Sequence, residues 1–127
     1  MADVDKPIRV LLVDDEEGFV DVLANRLAWR KLDVTKAYSG SQAIQILRRE
    51  DFDVAVLDVK MEDMDGIEVL RIFRRMVPEM AVIMLTGHGS ETAAKEGIEY
   101  GAFDYLMKPC ELDELMAKIK DAVERKQ

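Results

Sequence analysis

At 127 residues and 14.5 kDa, with 49% hydrophobic residues, the chain has the size and apolar content of one globular domain over residues 1–127. Eighteen basic against 26 acidic residues give a net charge of −8, which argues against direct nucleic-acid binding, and no apolar run approaches the roughly 20 residues that span a bilayer. A single cysteine, Cys110, excludes an internal disulfide; with a first segment that lacks the basic and apolar regions of a signal peptide, it points to a reducing, cytoplasmic setting.

Five strand-like runs alternate with five helical patterns, the pattern of βα units around a parallel sheet. The first run, 8–13, stops at Asp14 and Asp15, and a helical stripe of Phe19, Val20, Leu23 and Leu27 follows. The second, 32–37, leads to Ser39, a capping residue for a helix that faces inward with Ala43, Ile44 and Leu47. The third, 53–57, stops at Asp58; Asp65 and Gly66 then open a helix using Ile67, Leu70 and Phe73, ended by Pro78. The fourth, 81–85, stops at Thr86, and Ser90 is positioned to cap a helix with Ala93, Ala94 and Ile98. That helix reads as the weakest, because Gly97 within it and Gly101 nearby each lower helix stability by roughly 1 kcal/mol. The fifth run, 103–107, stops at Lys108 and Pro109. The last helix carries Glu111, Asp113 and Glu114 in its first turn, a stripe of Leu112, Leu115, Ile119 and Val123, and Arg125 and Lys126 at its end. The basic pairs Arg48–Arg49, Arg74–Arg75 and Arg125–Lys126 each fall near a helix C-terminus, where cations complement the macrodipole, so none of them forms a nucleic-acid face. Cys110 reads as a small filler beside a turn.

The informative feature is what the strands end in. In an open parallel sheet, ligands bind at the carboxyl ends of the strands, where neighbouring connections diverge. There the sequence places three acids (Asp14, Asp15, Asp58), a hydroxyl (Thr86) and a lysine (Lys108). Two carboxylates about 4 Å apart repel by roughly 1 kcal/mol in water and roughly 4 at an effective dielectric near 20, so three together call for a cation. Mg²⁺ suits oxygen ligands of this kind. Taken alone, Asp14 and Asp15 read equally well as helix caps; the matching positions of Asp58, Thr86 and Lys108 favour a site. Asp58 stands alone after its strand and has the chemistry of a nucleophile toward phosphorus. Metal at Asp15 and Asp58 and the point charge of Lys108 would neutralise a phosphoryl group, with Thr86 donating a hydrogen bond to it.

The ordered set Val13-Asp14-Asp15-Glu16, Leu57-Asp58-Val59-Lys60-Met61, Met64-Asp65-Gly66, Thr86-Gly87 and Tyr105-Leu106-Met107-Lys108-Pro109 resembles the receiver domain of two-component response regulators, over about residues 8–123. The resemblance implies a doubly wound, flavodoxin-like α/β fold with a five-stranded parallel sheet of order 2-1-3-4-5 and helices on both faces. It implies Asp58 as phosphoacceptor, Asp14 and Asp15 as metal-site acids with Asp58, and a metal contact from the Lys60 backbone carbonyl. Thr86 and Lys108 would read the phosphoryl group, Tyr105 would report the switch, and Lys108–Pro109 would be a cis bond. Lys60 and His88, each two residues beyond a site residue, hold positions that tune phosphoryl lifetime in the family. The resemblance further implies Mg²⁺ as cofactor, a sensor histidine kinase as phosphodonor, an unidentified downstream partner or output domain, and no catalysis beyond the domain's own phosphorylation and dephosphorylation. The output would be a change in the surface of the fourth helix, fifth strand and fifth helix, through which a homodimer could also form.

Two departures from the family pattern stand out. Where receivers often read Met-Pro-Gly-Met, this chain has Met61-Glu62-Asp63-Met64, which predicts a looser loop with two added negative charges beside the site. His88 lies in a Gly87-His88-Gly89 loop and not on a helical bundle, so it does not read as a phosphorelay histidine. The primary reading is a stand-alone receiver; its rivals are a receiver fragment of a longer transcription factor or enzyme, an aspartyl-phosphate phosphohydrolase and a flavin carrier. The phosphohydrolase would want an acid where Lys60 stands. The flavin carrier would want hydroxyls and glycines where Asp14-Asp15-Glu16 stand.

Overall fold

A computed structural model describes residues 6–87 and 89–125. Its elements alternate strictly: β1 (Arg9–Val13), α1 (Glu17–Trp29), β2 (Asp33–Ala37), α2 (Gly40–Leu47), β3 (Val54–Asp58), α3 (Gly66–Met76), β4 (Ala81–Thr86), α4 (Glu91–Glu99), β5 (Asp104–Met107) and α5 (Leu112–Arg125). The five strands form one parallel sheet, as the alternation predicts, in the order β2-β1-β3-β4-β5 that the family resemblance implies. β1 therefore has β2 and β3 on its two sides, and the chain reverses direction of winding there, which is the crevice geometry of a doubly wound sheet.

Near-continuous apolar strands arise because both faces of the sheet are covered. Leu11, Val13, Ala55, Leu57, Val82 and Met84 point to a core closed by α2, α3 and α4, with Ala43, Val69, Leu70, Phe73 and Ala94. The alternate residues Val10, Leu12, Val54, Val56, Ile83 and Leu85 point to a second core closed by α1 and α5, with Val20, Leu27, Leu115 and Ile119. Period-two alternation along each strand thus sorts the same residue types into two cores.

Several expected boundaries move by one residue. β1 and β5 start one position later than the apolar runs, and β3 and β4 extend to include Asp58 and Thr86. In α2 the deeply buried positions are Ala43, Ile46 and Leu47, and Ile44 packs at the margin. Ser39 caps α2 as expected, accepting a hydrogen bond from the Gln42 amide. Ser90 precedes α4 but its side chain makes no cap bond, so α4 starts without that support. Ile98 is 41% exposed and does not face the core; Ala94 and Gly97 do. Glu111 lies just before α5, where its carbonyl accepts the Leu115 amide. Met116 and Ala122 join Leu115 and Ile119 as the buried stripe of that helix, while Leu112 and Val123 pack at its edge. Among the described residues, no helix is long and apolar enough to cross a membrane.

Candidate functional site

Asp14 follows β1 directly, and its amide donates to the Ala37 carbonyl at 3.1 Å, so the sheet itself sets where its side chain emerges. That side chain is fully buried. Its Oδ1 accepts the Glu16 amide at 3.0 Å, a local turn that opens α1, and its Oδ2 accepts from Lys108 Nζ at 2.6 Å. Asp15 stands beside it, half-buried, and its Oδ2 accepts the Glu62 amide at 2.8 Å. Asp58 ends β3 and is 6% exposed. Carboxylate oxygens of Asp14, Asp15 and Asp58 all lie within 4.8 Å of one another.

Lys108, immediately after β5, reaches into this cluster. Its ammonium lies 2.6 Å from Asp14 Oδ2, 3.1 Å from Glu16 Oε1 and 3.4 Å from Asp58 Oδ1. The Phe19 ring lies beneath it, 4.5 Å from the ring centre, an arrangement that adds cation–π attraction. Burial by itself lowers the lysine pKa. The Asp14 hydrogen bond, the charges of Asp58 and Asp14 and the Glu16 hydrogen bond outweigh it, and the net direction is upward. For Asp58, burial and then the Asp14 charge push the pKa up, Lys108 opposes them, and the carboxyl comes to rest at about 6. One lysine therefore does not neutralise three converging acids.

The floor of the site depends on Gly66. It begins α3, and its amide donates to the Val59 carbonyl at 2.8 Å. A Cβ there would stand 2.4 Å from the Val59 carbonyl oxygen and 2.5 Å from that of Asp58, closer than any side chain tolerates. Only glycine lets α3 press against the backbone that carries Asp58. Asp65 caps the same helix by accepting the Ile67 amide at 3.0 Å.

Thr86 is fully buried at the end of β4 and one residue past Leu85, the partner of Asp58 across the sheet. Its hydroxyl donates to the Gly87 carbonyl at 3.2 Å and so points along its own chain. Tyr105 pairs with Met84 on the sheet and packs, half-buried, against the core that holds Ala93 and Ala94 of α4. Lys60 is exposed, and its backbone bridges Asp65 across the mouth of the β3–α3 loop. The Lys108–Pro109 peptide is cis. Cys110 is half-buried against the α1/α5 core. His88 lies outside the described residues.

The expectation of a loose Met61–Met64 loop needs correction. The Asp63 carboxylate accepts hydrogen bonds from the Gly40 and Ser41 amides and the Ser41 hydroxyl at 3.1, 3.0 and 3.0 Å. With the Glu62 bond to Asp15 and the Lys60–Asp65 bridge, the loop is fastened at three points, and one of the two added charges faces the start of α2. Sequence reasoning also assigned no role to Glu16 or Phe19 around Lys108. Glu16 stood within the acidic motif as the available signal, whereas Phe19 looked like any core residue of its stripe.

Comparison with known proteins agrees with this geometry. Over 120 residues the chain is 38% identical to the transcriptional regulatory protein GlrR of Escherichia coli (strain K12), an alignment covering 94% of this chain and 27% of that protein. The chain thus spans about a quarter of the length of that curated relative. Its fold is similar to that of a CheY-like response regulator receiver domain protein from Methanospirillum hungatei JF-1, with a TM-score of 0.90 and 30% identity over 95% of this chain and 97% of that one. A response regulator receiver domain protein from Clostridium thermocellum gives a TM-score of 0.90 and 33% identity, covering 94% and 96%. Residues 10–120 match the response regulator receiver domain family. With its strand order, the acids at its strand ends and the lysine that reaches them, the chain belongs to that family.

Proposed function

We propose that the chain is a phosphorylation-dependent switch in which Asp58 accepts a phosphoryl group from a sensor histidine kinase. The observation that carries this reading is the convergence of Asp14, Asp15 and Asp58 within 4.8 Å around a lysine that leaves their charge incompletely neutralised. The donor set is hard, anionic and oxygen-only, which fits Mg²⁺; Asp14, Asp15, Asp58 and the Lys60 carbonyl would hold it. Bound there, the cation supplies charge neutralisation to the three acids and to the phosphoryl oxygens.

The chain's own residues divide the remaining work. Asp58, as the carboxylate, attacks phosphorus through one of its oxygens; that O–P bond forms as the P–N bond to the donor histidine breaks, and the histidine keeps the electron pair. Lys108 turns its ammonium from Asp14 and Glu16 toward the new phosphoryl oxygens. Thr86 gives up its bond to the Gly87 carbonyl and donates to the phosphoryl group. Tyr105 follows, because it shares a core with α4, and the surface of α4, β5 and α5 changes. Lys60 and His88, two residues beyond Asp58 and Thr86 in the sequence, set the rate of hydrolysis. Catalysis extends to the domain's own phosphorylation and dephosphorylation, and the setting is the cytoplasm. One relative matched along this stretch, GlrR, is a transcriptional regulatory protein, which favours an output segment or partner of that kind over direct DNA contact by residues with a net charge of −8.

Acetyl phosphate tests the core of this reading. Intact mass should rise by one phosphoryl group in the presence of Mg²⁺, and Asp58→Asn should abolish the gain. Equal labelling in chelator would remove the cation from the reaction, and labelling retained by Asp58→Asn would remove Asp58 from its role.

A further inference from the structure

A carboxylate in a surface loop is ordinarily a solubilising charge. Asp63 is exposed, yet its carboxylate accepts three hydrogen bonds from residues 22 and 23 positions earlier in the chain. Oδ1 accepts the Gly40 amide and Oδ2 accepts both the amide and the hydroxyl of Ser41. The first N–H groups of a helix have no partner within it, and the positive end of the helix dipole favours an anion, so this carboxylate suits the place it occupies. Ser39 takes the next amide, that of Gln42, and the two side chains together satisfy the opening turn of α2. Burial pushes the Asp63 carboxyl up, but the Ser41 and Gly40 donors outweigh it and hold the group below its ordinary range.

A second contact shows the same closeness. A Cβ on Gly40 would stand 2.8 Å from Val69 Cγ2 and 3.1 Å from Met64 Sδ, so the start of α2 is pressed directly against the loop and α3. On the other side of Asp63, the Glu62 amide holds Asp15 Oδ2 at 2.8 Å. One side chain thus joins the start of α2 to a backbone stretch that touches a site acid one residue away.

We propose that Asp63 is a positioning residue for the cation site: by fastening the β3–α3 loop to the first turn of α2, it keeps the Glu62 amide on Asp15 and fixes the backbone course at Lys60. The inference rests on the reading of Asp14, Asp15 and Asp58 as a Mg²⁺ site. Coupling of this kind is reciprocal: if the tether favours the cation-bound arrangement, the cation must strengthen the tether. Mg²⁺ should therefore slow amide exchange at Gly40 and Ser41, although neither residue touches an acid of the cluster.

The test titrates Mg²⁺ alone into the unmodified full chain, Asp63→Ala and Asp63→Asn, with affinity read by calorimetry and amide exchange read by NMR. In Asp63→Ala, Mg²⁺ affinity should fall about 3–10-fold, below the 10–100-fold typical of groups that bond a metal ligand directly, since Asp63 acts one link further out. Exchange at Gly40, Ser41 and Glu62 should quicken, and Mg²⁺ should no longer slow it at Gly40 and Ser41. Asp63→Asn keeps one acceptor oxygen and should recover part of both effects. Exchange at Val56 and Leu57 in β3 reports whether each variant is folded; if Asp63→Ala is not, the same comparison on Asp63→Asn decides the matter. If Gly40 and Ser41 quicken while Glu62 exchange and Mg²⁺ affinity stay at wild-type values, Asp63 is only a helix cap; the proposal falls and the cation site stands. If the wild type itself binds no Mg²⁺ at millimolar concentration, the cation site and this proposal fall together.

Discussion

Asp58 sits in a conflict that its neighbours only partly resolve. Burial and the Asp14 charge raise its pKa from 3.8 to about 6, against the pull of Lys108. Between about pH 4 and pH 6 the folded protein keeps a proton that the unfolded chain has released, so stability falls as pH rises through that window. Below it the unfavourable charge is absent; above it the full effect is present. Asp58→Asn, neutral and nearly isosteric, should therefore exceed the wild type by about 1–2 kcal/mol at pH 8 without metal, and match it at pH 4. Urea unfolding of both proteins across that range measures the difference. Equal stability at pH 8 would mean that Lys108 already neutralises the carboxylate. The same residue-level conflict supplies function: a nucleophile kept uncomfortable by its surroundings is one whose charge a cation or a phosphoryl group can redistribute.

At the scale of elements, α4 carries a glycine and no side-chain cap, and the weakness this predicts can be tested. Gly97 is buried, and a Cβ placed there would lie 3.4 Å from Ile67 Cδ1, 3.5 Å from Leu70 Cδ2 and 3.6 Å from Met84 Cγ, ordinary packing distances. Gly97→Ala should then stabilise the fold by about 0.5–1 kcal/mol through helix propensity alone. It should also slow amide exchange across Glu91–Glu99. Loss of stability would show that the close approach of α4 to α3 is tighter than these distances imply. The five strands were legible in the sequence, because two-sided burial writes itself as continuous apolar runs. The acids and Lys108 were legible for the same reason: each lies at or just beyond the end of an apolar run. Other features left no local trace. Glu16 and Asp14 meet Lys108 across 92 and 94 positions, and Asp63 meets α2 across 22 and 23, so no periodicity or short motif could announce them. Ile46 in place of Ile44, and the Ser90 hydroxyl that caps nothing, depend on how each helix is rotated against the sheet, which apolar spacing over eight or nine residues does not fix.

For the molecule as a whole, the three acids form a local concentration of charge in a chain that is already at −8. A cation that binds only the folded state stabilises it by RT ln(1 + [L]/Kd), roughly 2.7 kcal/mol at a hundredfold excess over Kd. Mg²⁺ should raise the melting temperature, and Asp15→Asn should shrink the rise; a melting curve indifferent to millimolar Mg²⁺ would count against the site. Transmission across the fold is a separate matter and turns on Lys108. Its ammonium is held by Asp14, Glu16 and Asp58 from one side of the sheet edge, while its amide donates to the Thr86 carbonyl at 2.7 Å, joining β5 to β4 beside the site. A covalent phosphoryl group can shift a conformational equilibrium only through its different interactions with the two states, and Lys108 supplies part of that difference. Lys108→Ala removes the charge but leaves Asp58 and the other acids in place, so labelling by acetyl phosphate should persist, at a reduced rate. In the wild type, phosphorylation should alter amide exchange over residues 90–101 and around Tyr105, because Tyr105 and α4 pack into one core. In Lys108→Ala that response should be much reduced at equal labelling. Should the variant respond as fully as the wild type, the signal reaches α4 by a route that does not involve the lysine, and the switch proposed for this chain must be redrawn around Thr86 alone.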